Sequence, residues 1–332
     1  MRYNEVSLWT KEKSVSSDVR VAVLDDYQGV AAAMADWKGR LPGADVRFFR
    51  DHIADADALV AALEPYEVIV AMRERTAFPR EILERLPRLR LLVTTGTLNA
   101  AIDIDAARER GVVVSGTRGS RSNTSELTWA LILGLVRDVA ADDARIRAGG
   151  WQETLGRDLH GRTLGVVGLG RQGAPVARVG QAFGMNVIAW SPHLTEQRAA
   201  EHGVTLASKT ELFGSADIAT LHLVLSERSR GIIGETELRA MKPSALLVNT
   251  SRAGLVDQDA LARALKEGWI AGAGLDVFDV EPLPDDHWLR GSPRTLLSPH
   301  MGYVSEEGYH VFYGDAVEDI AAFLTGSPVR TL

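Results

Sequence analysis

The sequence contains no cysteine, which excludes disulfide bonds, thiolate metal ligands and a cysteine nucleophile. It also lacks an excess of positive charge, because the formal net charge is -7 at pH 7 and no dense run of lysine and arginine occurs. Nucleic acids and anionic membranes are therefore not expected as partners. No apolar run is long enough to cross a bilayer, and the polar segment 1–20 lacks the apolar core of a signal peptide. A cytoplasmic protein is expected.

Short β-branched runs alternate with amphipathic segments along most of the 332 residues. A chain of this length exceeds the usual size of a single hydrophobic core, so two domains are expected. The alternation predicts βαβ units and mainly parallel sheets. Strands are predicted in the first half at 19–26, 44–51, 67–74, 89–96 and 112–115. In the second half they are predicted at 163–170, 186–190, 217–223, 244–251, 270–278 and 295–300.

A polar, glycine-containing connector at 116–123 separates the two halves. Asn123 and Glu126 have the spacing of a capping box, and the apolar residues after them predict one long helix from 123 to about 148. A second capping box is predicted at Ser208 and Glu211. The last predicted helix, 305–326, follows the second half but need not belong to the same domain.

The segment GLGRQG lies between a predicted strand and a predicted helix. Its first glycine permits a tight turn, its second lets the backbone approach a pyrophosphate, and its third lets the helix pack on the strand. Free N–H groups at the helix start favour phosphate oxygens. A tight turn of any α/β domain is the alternative, but the strand, helix and second strand in register favour a dinucleotide site. That site would use the whole turn: Gly168, Leu169, Gly170, Arg171, Gln172 and Gly173.

Ser191 follows the second strand of this unit, where dinucleotide sites that hold NAD usually have an acid. Serine can bond a ribose hydroxyl and does not repel a 2′-phosphate. Its next neighbours, Pro192 and His193, include no arginine that would bind such a phosphate. The sequence therefore leaves the choice between NAD and NADP open.

Three later segments, NTSRAG, GLDVFDVEP and SPHMG, each place a polar residue near the end of a predicted strand. Ligands bind outside the carboxyl ends of strands in open α/β sheets. Arg252, Glu281 and His300 are therefore expected to converge on one crevice with the nicotinamide. Each has a structural alternative. Arg252 could form an ion pair with Asp257 or Asp276, Glu281 could be a solvated carboxylate, and His300 could be a surface or core histidine.

The spaced set GxGxxG, NTSRAG, GLDVFDVEP and SPHMG resembles the D-isomer-specific 2-hydroxyacid dehydrogenases, which include phosphoglycerate dehydrogenase and the glyoxylate/hydroxypyruvate reductases. TSELTWALIL, at the start of the long helix, resembles the same family, and the resemblance is densest over 149–302. It implies two Rossmann-like α/β domains with parallel sheets and a cleft between them. The flavodoxin-like substrate domain would span 1–117 and be completed by 304–332, and the NAD(P)-binding domain would span 118–303.

The resemblance also implies a reaction, in which hydride passes between NAD or NADP and a small D-2-hydroxy or 2-oxo acid. His300 would be the general acid–base, and Glu281 would hold and charge-stabilise its imidazolium. Arg252 would bind the substrate carboxylate and polarise the keto oxygen. A homodimer is implied, and no metal site is expected.

Further cofactor contacts are implied only by position in the family pattern: Thr124, His222, Thr250, Ser251, Asp276 and Gly302. Helix capping is the alternative role for Thr124, and a satisfied structural histidine is the alternative for His222. A buried aspartate that caps the sheet is the alternative for Asp276.

The segment VTTGTLNAAID resembles the family's substrate loop, in which main-chain N–H groups would meet the substrate carboxylate at Thr95, Gly96 and Thr97. An ordinary strand-to-helix turn is the alternative. The chain also departs from its relatives, which often carry Asp-Asn just before Ile-Asp, where Ala100 and Ala101 stand here. Asn99 lies earlier, so no side-chain contact is carried over from this loop.

Arg73 and Arg75, in AMRERT, could reach an anionic tail of the substrate or be solvated charges. Two other functions are alternatives to the reductase. A formate dehydrogenase would carry an amide in place of Glu281, which argues against that activity. A catalytically weak, dinucleotide-sensing protein of the corepressor type has the same fold and stays open as the alternative function.

Overall fold

Short strands of two to five residues, most of them hydrophobic, form two parallel sheets in the computed structural model, which describes residues 19–120 and 122–332. Most of the polar amino-terminal segment, residues 1–18, and Arg121 of the connector lie outside the described residues. The chain divides into two compact units between residues 120 and 121 and between residues 305 and 306. Unit 1 contains the first part of the chain and its final helix, and unit 2 contains the part between. The predicted α/β class with two parallel sheets is confirmed.

The described part of unit 1 forms a five-stranded parallel sheet with the strand order β2-β1-β3-β4-β5. Its strands are β1 (Arg20–Val23), β2 (Asp45–Phe48), β3 (Val68–Ala71), β4 (Leu91–Thr94) and β5 (Val113–Gly116). Its first helices are α1 (Ala31–Met34), α2 (Trp37–Arg40), α3 (Ala56–Leu63), α4 (Arg80–Leu83) and α5 (Ile104–Glu109). Every residue of β3 and β4 is buried, which is typical of a parallel sheet covered on both faces.

The described part of unit 2 forms a seven-stranded parallel sheet with the order β12-β11-β10-β9-β6-β7-β8. Its strands are β6 (Thr163–Val167), β7 (Asn186–Trp190), β8 (Thr205–Leu206), β9 (Ile218–Leu221), β10 (Leu246–Asn249), β11 (Gly272–Leu275) and β12 (Thr295–Leu297). Its helices are α6 (Asn123–Val136), α7 (Val139–Arg147), α8 (Gly173–Ala182), α9 (Glu196–Glu201), α10 (Lys209–Ser215), α11 (Glu235–Ala240) and α12 (Gln258–Glu267). Short 3₁₀ helices lie at Ala253–Leu255 and Trp288–Gly291.

The final helix, α13 (Glu306–Leu324), belongs to unit 1. Its Tyr313 is fully buried, and the ring lies 6.2 Å from that of Trp37, centroid to centroid. The Trp37 indole N–H donates to the carbonyl oxygen of Ala31, so both aromatic side chains are fixed in the core of unit 1. Neither α13 nor any other described helix is long and apolar enough to span a bilayer.

The single helix predicted from 123 to about 148 is wrong, because α6 ends at Val136 and α7 begins at Val139. Asp138, between them, has a left-handed backbone with φ of 50°, which interrupts the helical hydrogen bonds. The capping box at Asn123 is also wrong, because Asn123 is already inside the helix and its amide donates to the carbonyl oxygen of Tyr303. The capping box at Ser208 and Glu211 is confirmed. The elements α1, α2 and β8 were not predicted.

The strand orders fix where a ligand crevice forms in each unit. In unit 1, β1 lies between β2 and β3, and in unit 2, β6 lies between β7 and β9. The chain connections leave the central strand in opposite directions at these points. Open parallel sheets bind ligands at the carboxyl ends of the strands beside such a switch point.

Candidate active site

The predicted site residues of unit 2 follow successive strands at the carboxyl edge of its sheet. In sheet order they are His300 after β12, Asp276 after β11, Arg252 after β10, His222 after β9, Gly168 after β6 and Ser191 after β7. Because carboxyl ends of parallel strands lie at one edge, the topology gathers residues that are far apart in the sequence. Arg73 and the loop at 95–97 belong to unit 1.

The glycine turn has the geometry that a bound pyrophosphate requires. Gly168 is left-handed with φ of 100°, and its N–H donates to the carbonyl oxygen of Trp190 at 2.8 Å. A Cβ at Gly173 would collide with the carbonyl group of Gly168, so only glycine permits this close approach of helix and turn. A Cβ at Gly170 would meet no heavy atom of the described chain within 4 Å, so the backbone there is open to a ligand. The residues present therefore fit a dinucleotide.

The other residues of the turn differ in exposure. Leu169 is buried, whereas Arg171 is exposed. Gln172 precedes the first turn of α8, and its side-chain oxygen is buried without a hydrogen-bond partner among the described residues. Ser191 is half-buried at the end of β7, and His193 is exposed. No group of three or more potential metal-ligating side chains occurs in the described chain.

His300 and Glu281 form a direct pair, in which Nδ1 of the imidazole lies 2.5 Å from Oε2 of the carboxylate. The other carboxylate oxygen of Glu281 accepts the N–H of Phe278 at 2.9 Å, which fixes the acid. His300 has a left-handed backbone with φ of 54°, and its ring packs edge-on against Tyr303. Within the described chain, Nε2 of His300 has no hydrogen-bond partner. This nitrogen is therefore available to a ligand.

Asp276 ties the end of β11 to the loop that carries His300. Its carboxylate is fully buried and accepts the N–H groups of Met301 at 2.7 Å and Gly302 at 2.8 Å. Burial raises the pKa of Asp276, although hydrogen bonds from Ser298 and these N–H groups act in the opposite direction. A Cβ at Gly302 would lie only 3.0 Å from the Asp276 carboxylate, so a larger residue there would have to displace that carboxylate slightly.

Two threonines join the start of α6 to this edge of the sheet. The Thr124 hydroxyl donates to the carbonyl oxygen of Gly302 at 2.7 Å. One turn further along the helix, Thr128 Oγ1 lies 2.7 Å from Thr250 Oγ1, just after β10. Thr124 thus has hydrogen bonding to the His300 loop, beyond the capping role that was its alternative.

Arg252 lies on a loop that Asn249 holds in shape. The Asn249 amide donates to the carbonyl oxygen of Arg252 at 3.0 Å, and its side-chain oxygen accepts the N–H of Ser251 at 3.0 Å. The Ser251 hydroxyl donates to the carbonyl oxygen of Leu223 at 2.7 Å, and Arg252 Nη1 donates to Ser251 O at 2.8 Å. Asn249 was not predicted as a site residue, although it is the first residue of the motif NTSRAG.

His222 is neutral at physiological pH. Desolvation lowers its pKa to about 4, and Nε2 lies 3.0 Å from the Thr220 hydroxyl. Its main-chain N–H donates to Val167 O at 2.7 Å, and a Cβ at Gly168 would lie 2.8 Å from its carbonyl oxygen. His222 is therefore placed directly against the glycine turn, with an uncharged ring.

In unit 1, Arg73 follows β3 and has a left-handed backbone with φ of 52°. Its N–H donates to Thr95 Oγ1 at 2.9 Å, and its Nη1 donates to the carbonyl oxygen of Thr95 at 3.1 Å. The guanidinium lies so close to Gly96 that a Cβ at that residue would collide with it. The arginine therefore packs directly on the predicted substrate loop.

The N–H groups of the predicted substrate loop are not equally free. The N–H of Thr95 donates to Ala71 O at 3.0 Å, and that of Gly96 donates to Thr117 Oγ1 at 2.7 Å. The N–H of Thr97 has no acceptor among the described residues, and Thr97 is exposed. In this conformation Thr97 offers the N–H that a ligand can use without displacing an existing bond.

Asn99 holds this loop in place, which was not predicted. Its buried side-chain amide donates to the carbonyl oxygen of Arg73 at 2.6 Å and to Thr94 Oγ1 at 2.9 Å. Its side-chain oxygen accepts the N–H of Ala101 at 2.9 Å. The feature of the sequence that indicates a different loop is the pair Ala100 and Ala101, where relatives often carry Asp-Asn. Here a buried asparagine two residues earlier than Ala101 fastens the loop.

Comparison with known proteins identifies the family. The family model described as "D-isomer specific 2-hydroxyacid dehydrogenase, NAD binding domain" matches residues 129–302. Glyoxylate reductase of Korarchaeum cryptofilum is 37% identical over 298 residues, covering 87% of this chain and 86% of the relative. D-3-phosphoglycerate dehydrogenase of Bacillus subtilis is 33% identical, and the match covers 86% of this chain but 54% of that protein. The chain therefore spans about half the length of that second relative.

A solved structure shows the same fold. The phosphoglycerate oxidoreductase of Vibrio cholerae O395 superposes with a TM-score of 0.89 at 38% identity, covering 93% of this chain and 99% of that one. The named relatives are enzymes, so the dinucleotide-sensing alternative is not favoured. The chain belongs to the D-isomer specific 2-hydroxyacid dehydrogenase family and is an oxidoreductase that interconverts 2-hydroxy and 2-oxo acids with a nicotinamide dinucleotide.

Proposed function

We propose that this enzyme reduces a small 2-oxo acid of the glyoxylate or hydroxypyruvate type, with His300 as the general acid. The observation that carries the proposal is the 2.5 Å pair of His300 and Glu281 on the same sheet edge as the glycine turn. Glu281 engages Nδ1, so Nε2 holds the proton that is delivered to the substrate carbonyl oxygen. A nicotinamide dinucleotide held at the glycine turn would supply the hydride.

Glu281 keeps the imidazole in its productive orientation through the bond to Nδ1. Its second oxygen is held by the N–H of Phe278 at 2.9 Å, so the acid does not need to reorganise during the reaction. In the reverse direction His300 takes the proton of the hydroxyl group, and the same carboxylate stabilises the imidazolium that forms.

Arg252 binds the substrate carboxylate and polarises the keto oxygen. The main chain of its loop is fixed by the two hydrogen bonds of Asn249, and its Nη1 donates to Ser251 O at 2.8 Å, which holds the guanidinium. A fixed cation is most effective where charge develops on oxygen in the transition state.

The dinucleotide would be held by the glycine turn and by the polar residues along the same edge. Gly170 leaves room for the pyrophosphate, and the start of α8 offers N–H groups to it. Thr124, His222, Asp276 and Gly302 lie beside the loops of the proposed catalytic residues and are assigned to the nicotinamide side. Thr250, Ser251 and Ser191 complete the contacts. The cofactor domain is assigned to 118–303.

The substrate domain is assigned to 1–117 with 304–332. In it, Arg73 and the exposed N–H of Thr97 are proposed to bind the substrate carboxylate, with Thr95 and Gly96 shaping the loop. The contact of Arg73 with Gly96 supports this assignment, because it places a cation directly on the loop.

The test of the proposed function is a panel of 2-oxo acids, each assayed with NADH and with NADPH. Turnover of glyoxylate to the achiral glycolate, or of hydroxypyruvate to the D-2-hydroxy acid, is expected. No turnover of any 2-oxo acid by a protein that binds NADH would contradict the proposal and favour the sensing role.

Cofactor preference is proposed to be loose, because Ser191 neither repels a 2′-phosphate nor supplies a charge to bind it. The change Ser191→Asp is expected to raise the preference for NADH over NADPH about tenfold or more, since an aspartate repels the phosphate and bonds the ribose. The measurement is the ratio of kcat/KM for the two cofactors. An unchanged ratio would contradict the role of residue 191, and Ser208→Asp, at an exposed helix cap, is the matched control.

A homodimer is proposed through the region of α7 and the loop after it. Large apolar side chains are exposed there: Val139, Ile146, Trp151 and Leu155. Exposed apolar side chains grouped along one stretch of chain indicate a contact with a protein. Sedimentation of the wild type and of Leu155→Lys tests this, and a monomeric wild type would contradict it.

A further inference from the structure

A short segment after α13 lies along β5, the strand at one end of the unit 1 sheet. This segment, residues 329–332, is called the tail segment here. The N–H of Gly116 donates to the carbonyl oxygen of Arg330 at 2.9 Å, and the N–H of Leu332 donates to that of Val114 at 2.9 Å. Two main-chain hydrogen bonds therefore fasten the tail segment to the outer side of β5.

The end of β5 that the tail segment covers is in contact with the predicted substrate loop. Thr117 Oγ1 accepts the N–H of Gly96 at 2.7 Å, and the N–H of Thr117 donates to the carbonyl oxygen of Gly96 at 3.0 Å. A Cβ at Gly116 would lie 2.7 Å from the carbonyl oxygen of Gly96 and 3.5 Å from Leu332 Cδ1. The tail segment, the end of β5 and the loop are therefore packed in direct succession.

Arg330 clamps the tail segment to α13 through three hydrogen bonds. Its Nε donates to Asp319 Oδ1 at 2.9 Å, its Nη1 to Glu318 Oε2 at 2.8 Å and its Nη2 to Asp315 O at 2.9 Å. The backbone of Arg330 is left-handed with φ of 50°, a conformation that costs free energy and persists where neighbouring contacts over-determine it. The Asp315 carboxylate also accepts Nε and Nη2 of Arg118, at 3.0 and 2.7 Å, so α13 holds the chain just after β5 as well.

The carboxylate at the centre of the clamp is fully buried. Asp319 is 0% exposed, and its Oδ2 has no hydrogen-bond partner among the described residues. Burial raises the pKa of Asp319 to about 7, and the charges of Asp315 and Glu318 act in the same direction, whereas Arg330 lowers it. These three side chains are the charged groups that face the carboxylate, one from the tail segment and two from its own helix.

The elements packed most closely on α13 are α1, α2 and β4. α1 and β4 contain no titratable residue. The cations of α2 and of the residue before β4 are exposed: Lys38, Arg40 and Arg90. The contacts of Asp319 therefore make its charge depend chiefly on Arg330 and on access of water.

We propose that the tail segment, clamped by Arg330 on α13, is a positioning element that holds Gly96 and the rest of the substrate loop in the conformation that binds substrate. The inference rests on the role proposed above for the loop at 95–97. Arg330 touches neither substrate nor cofactor in this proposal and acts through β5 and Thr117. No residue of the clamp belongs to the site assigned above.

Opening of the clamp is linked to release of a proton. When the tail segment leaves α13, water reaches Asp319, and the pKa of its carboxyl returns toward the ordinary value of about 3.9. Between this value and the value of about 7 in the closed form, opening releases a proton. The equilibrium constant for opening should therefore rise up to about tenfold per pH unit in this range and level off above about pH 7.

Hydrogen exchange of the amides of Gly96 and Leu332, followed by NMR without substrate, tests the coupling between tail segment and loop. Arg330→Met removes the clamp and keeps an apolar side chain. Both amides should exchange about 10–100-fold faster, the effect of losing bonds to charged groups. The matched control is Arg85→Met, which removes an exposed arginine of the same unit that bonds Asp57 at 2.7 Å, and it should leave both rates unchanged. Faster exchange at Leu332 with unchanged exchange at Gly96 would overturn the proposal.

Steady-state kinetics separates positioning from a general loss of structure. Arg330→Met should raise KM for glyoxylate about tenfold with kcat close to wild type, because the proposed catalytic residues of unit 2 are untouched. A KM equal to that of the wild type, in a variant whose Leu332 amide exchanges faster, would contradict the positioning role. A fall in kcat without a change in KM would contradict it too.

Asp319→Asn is the second variant, and it matches the protonated form of the clamp at every pH. The ratio of the Leu332 exchange rates in wild type and variant, taken at the same pH, should rise up to about tenfold per unit from pH 5.5 to 7 and then level off. A merely structural aspartate would give a constant ratio, which would overturn the clamp. If no 2-oxo acid is turned over, the proposed function fails, and the exchange rates still decide whether the tail segment fixes the loop.

Discussion

The two units each carry a histidine paired with a carboxylate at the carboxyl edge of a parallel sheet. In unit 2 the pair is His300 with Glu281, 2.5 Å apart, and in unit 1 it is His52 with Asp25, 3.0 Å apart. Both histidines use Nδ1, and each pair includes a left-handed residue, His300 or Asp25. The carboxylates differ in burial, because the Glu281 side chain is 30% exposed and that of Asp25 is 1% exposed.

The difference between the pairs lies in their neighbours. His300 shares its sheet edge with the glycine turn, with Asp276 and with the Arg252 loop, which is the setting of the proton transfer proposed for it. His52 shares its edge with Arg75, and the described residues of unit 1 include no glycine turn of the kind at 168–173. On the proposed function, the unit 2 pair transfers a proton to the substrate, whereas the unit 1 pair takes no part in that step. Changes to the unit 2 pair should act on kcat, and changes in unit 1 should act on KM.

The largest effect is expected from His300→Ala. Loss of the general acid should lower kcat about 10²–10⁴-fold, because the carbonyl oxygen then has to take its proton from water. The dissociation constant for NADH, measured by fluorescence titration, should stay close to wild type, since the glycine turn is untouched. A kcat within a few-fold of wild type would contradict the acid–base assignment.

Glu281→Gln should act on the same step with a smaller effect. The glutamine oxygen still accepts the N–H of Phe278, but the charge that stabilises the imidazolium is gone. Loss of a charge-assisted hydrogen bond should lower kcat about 10–100-fold. The matched control is Glu211→Gln, a carboxylate of an exposed capping box in the same unit. Equal kcat values for Glu281→Gln and the control would show that the Glu281 carboxylate has no part in the mechanism.

Much of unit 2 could be predicted from sequence because its signals are local. The glycine turn, the strands around it and the order of Arg252, Glu281 and His300 follow from short motifs placed after strands. The break at Asp138 was missed because apolar spacing continues across it, and a single left-handed residue leaves no periodic signal. The spacing of Asn123 and Glu126 predicts a helix cap, but the Asn123 side chain donates to the carbonyl oxygen of Tyr303, which is distant in sequence.

The contacts of unit 1 are harder to predict from sequence because their partners are distant along the chain. Asp25 and His52 are 27 positions apart, and neither lies in a motif. Their pairing depends on β1 and β2 being neighbours, which the strand pattern alone does not fix. Asn99 was noticed as a departure from relatives, but its bond to the carbonyl oxygen of Arg73 requires the fold of two loops.

Asn99→Asp tests whether a change in unit 1 alters KM for the substrate without altering kcat. An aspartate still accepts the N–H of Ala101, but it cannot donate to Arg73 O or to Thr94 Oγ1. Arg73 should therefore lose its position on the substrate loop, and KM for glyoxylate should rise about tenfold while kcat changes little. Adding the change to an Arg73→Ala background should have no further effect on KM. Asn186→Asp, at an exposed asparagine of unit 2, is the control.

A purely structural role for Asn99 gives a different pattern. The two substitutions would then act independently, and Asn99→Asp would raise KM by the same factor with and without the Arg73 guanidinium. Such additivity would contradict the positioning role.

The smallest effect is expected on the stability of the folded protein. The pair of His52 with Asp25 should make that stability depend on pH. Because the pKa of His52 is raised in the folded protein, the folded state binds its proton more tightly than the unfolded state does. This contribution is fully present below the ordinary histidine value of about 6.5 and is lost as pH rises through the folded pKa. Relative to His52→Gln, the wild-type Tm should be higher by roughly 2–4 °C at the acidic end, with the difference shrinking toward pH 8.5. Thermal melts of both proteins from pH 5.5 to 8.5 measure this, and a difference that grows with pH would mean that Asp25 does not hold a protonated imidazole.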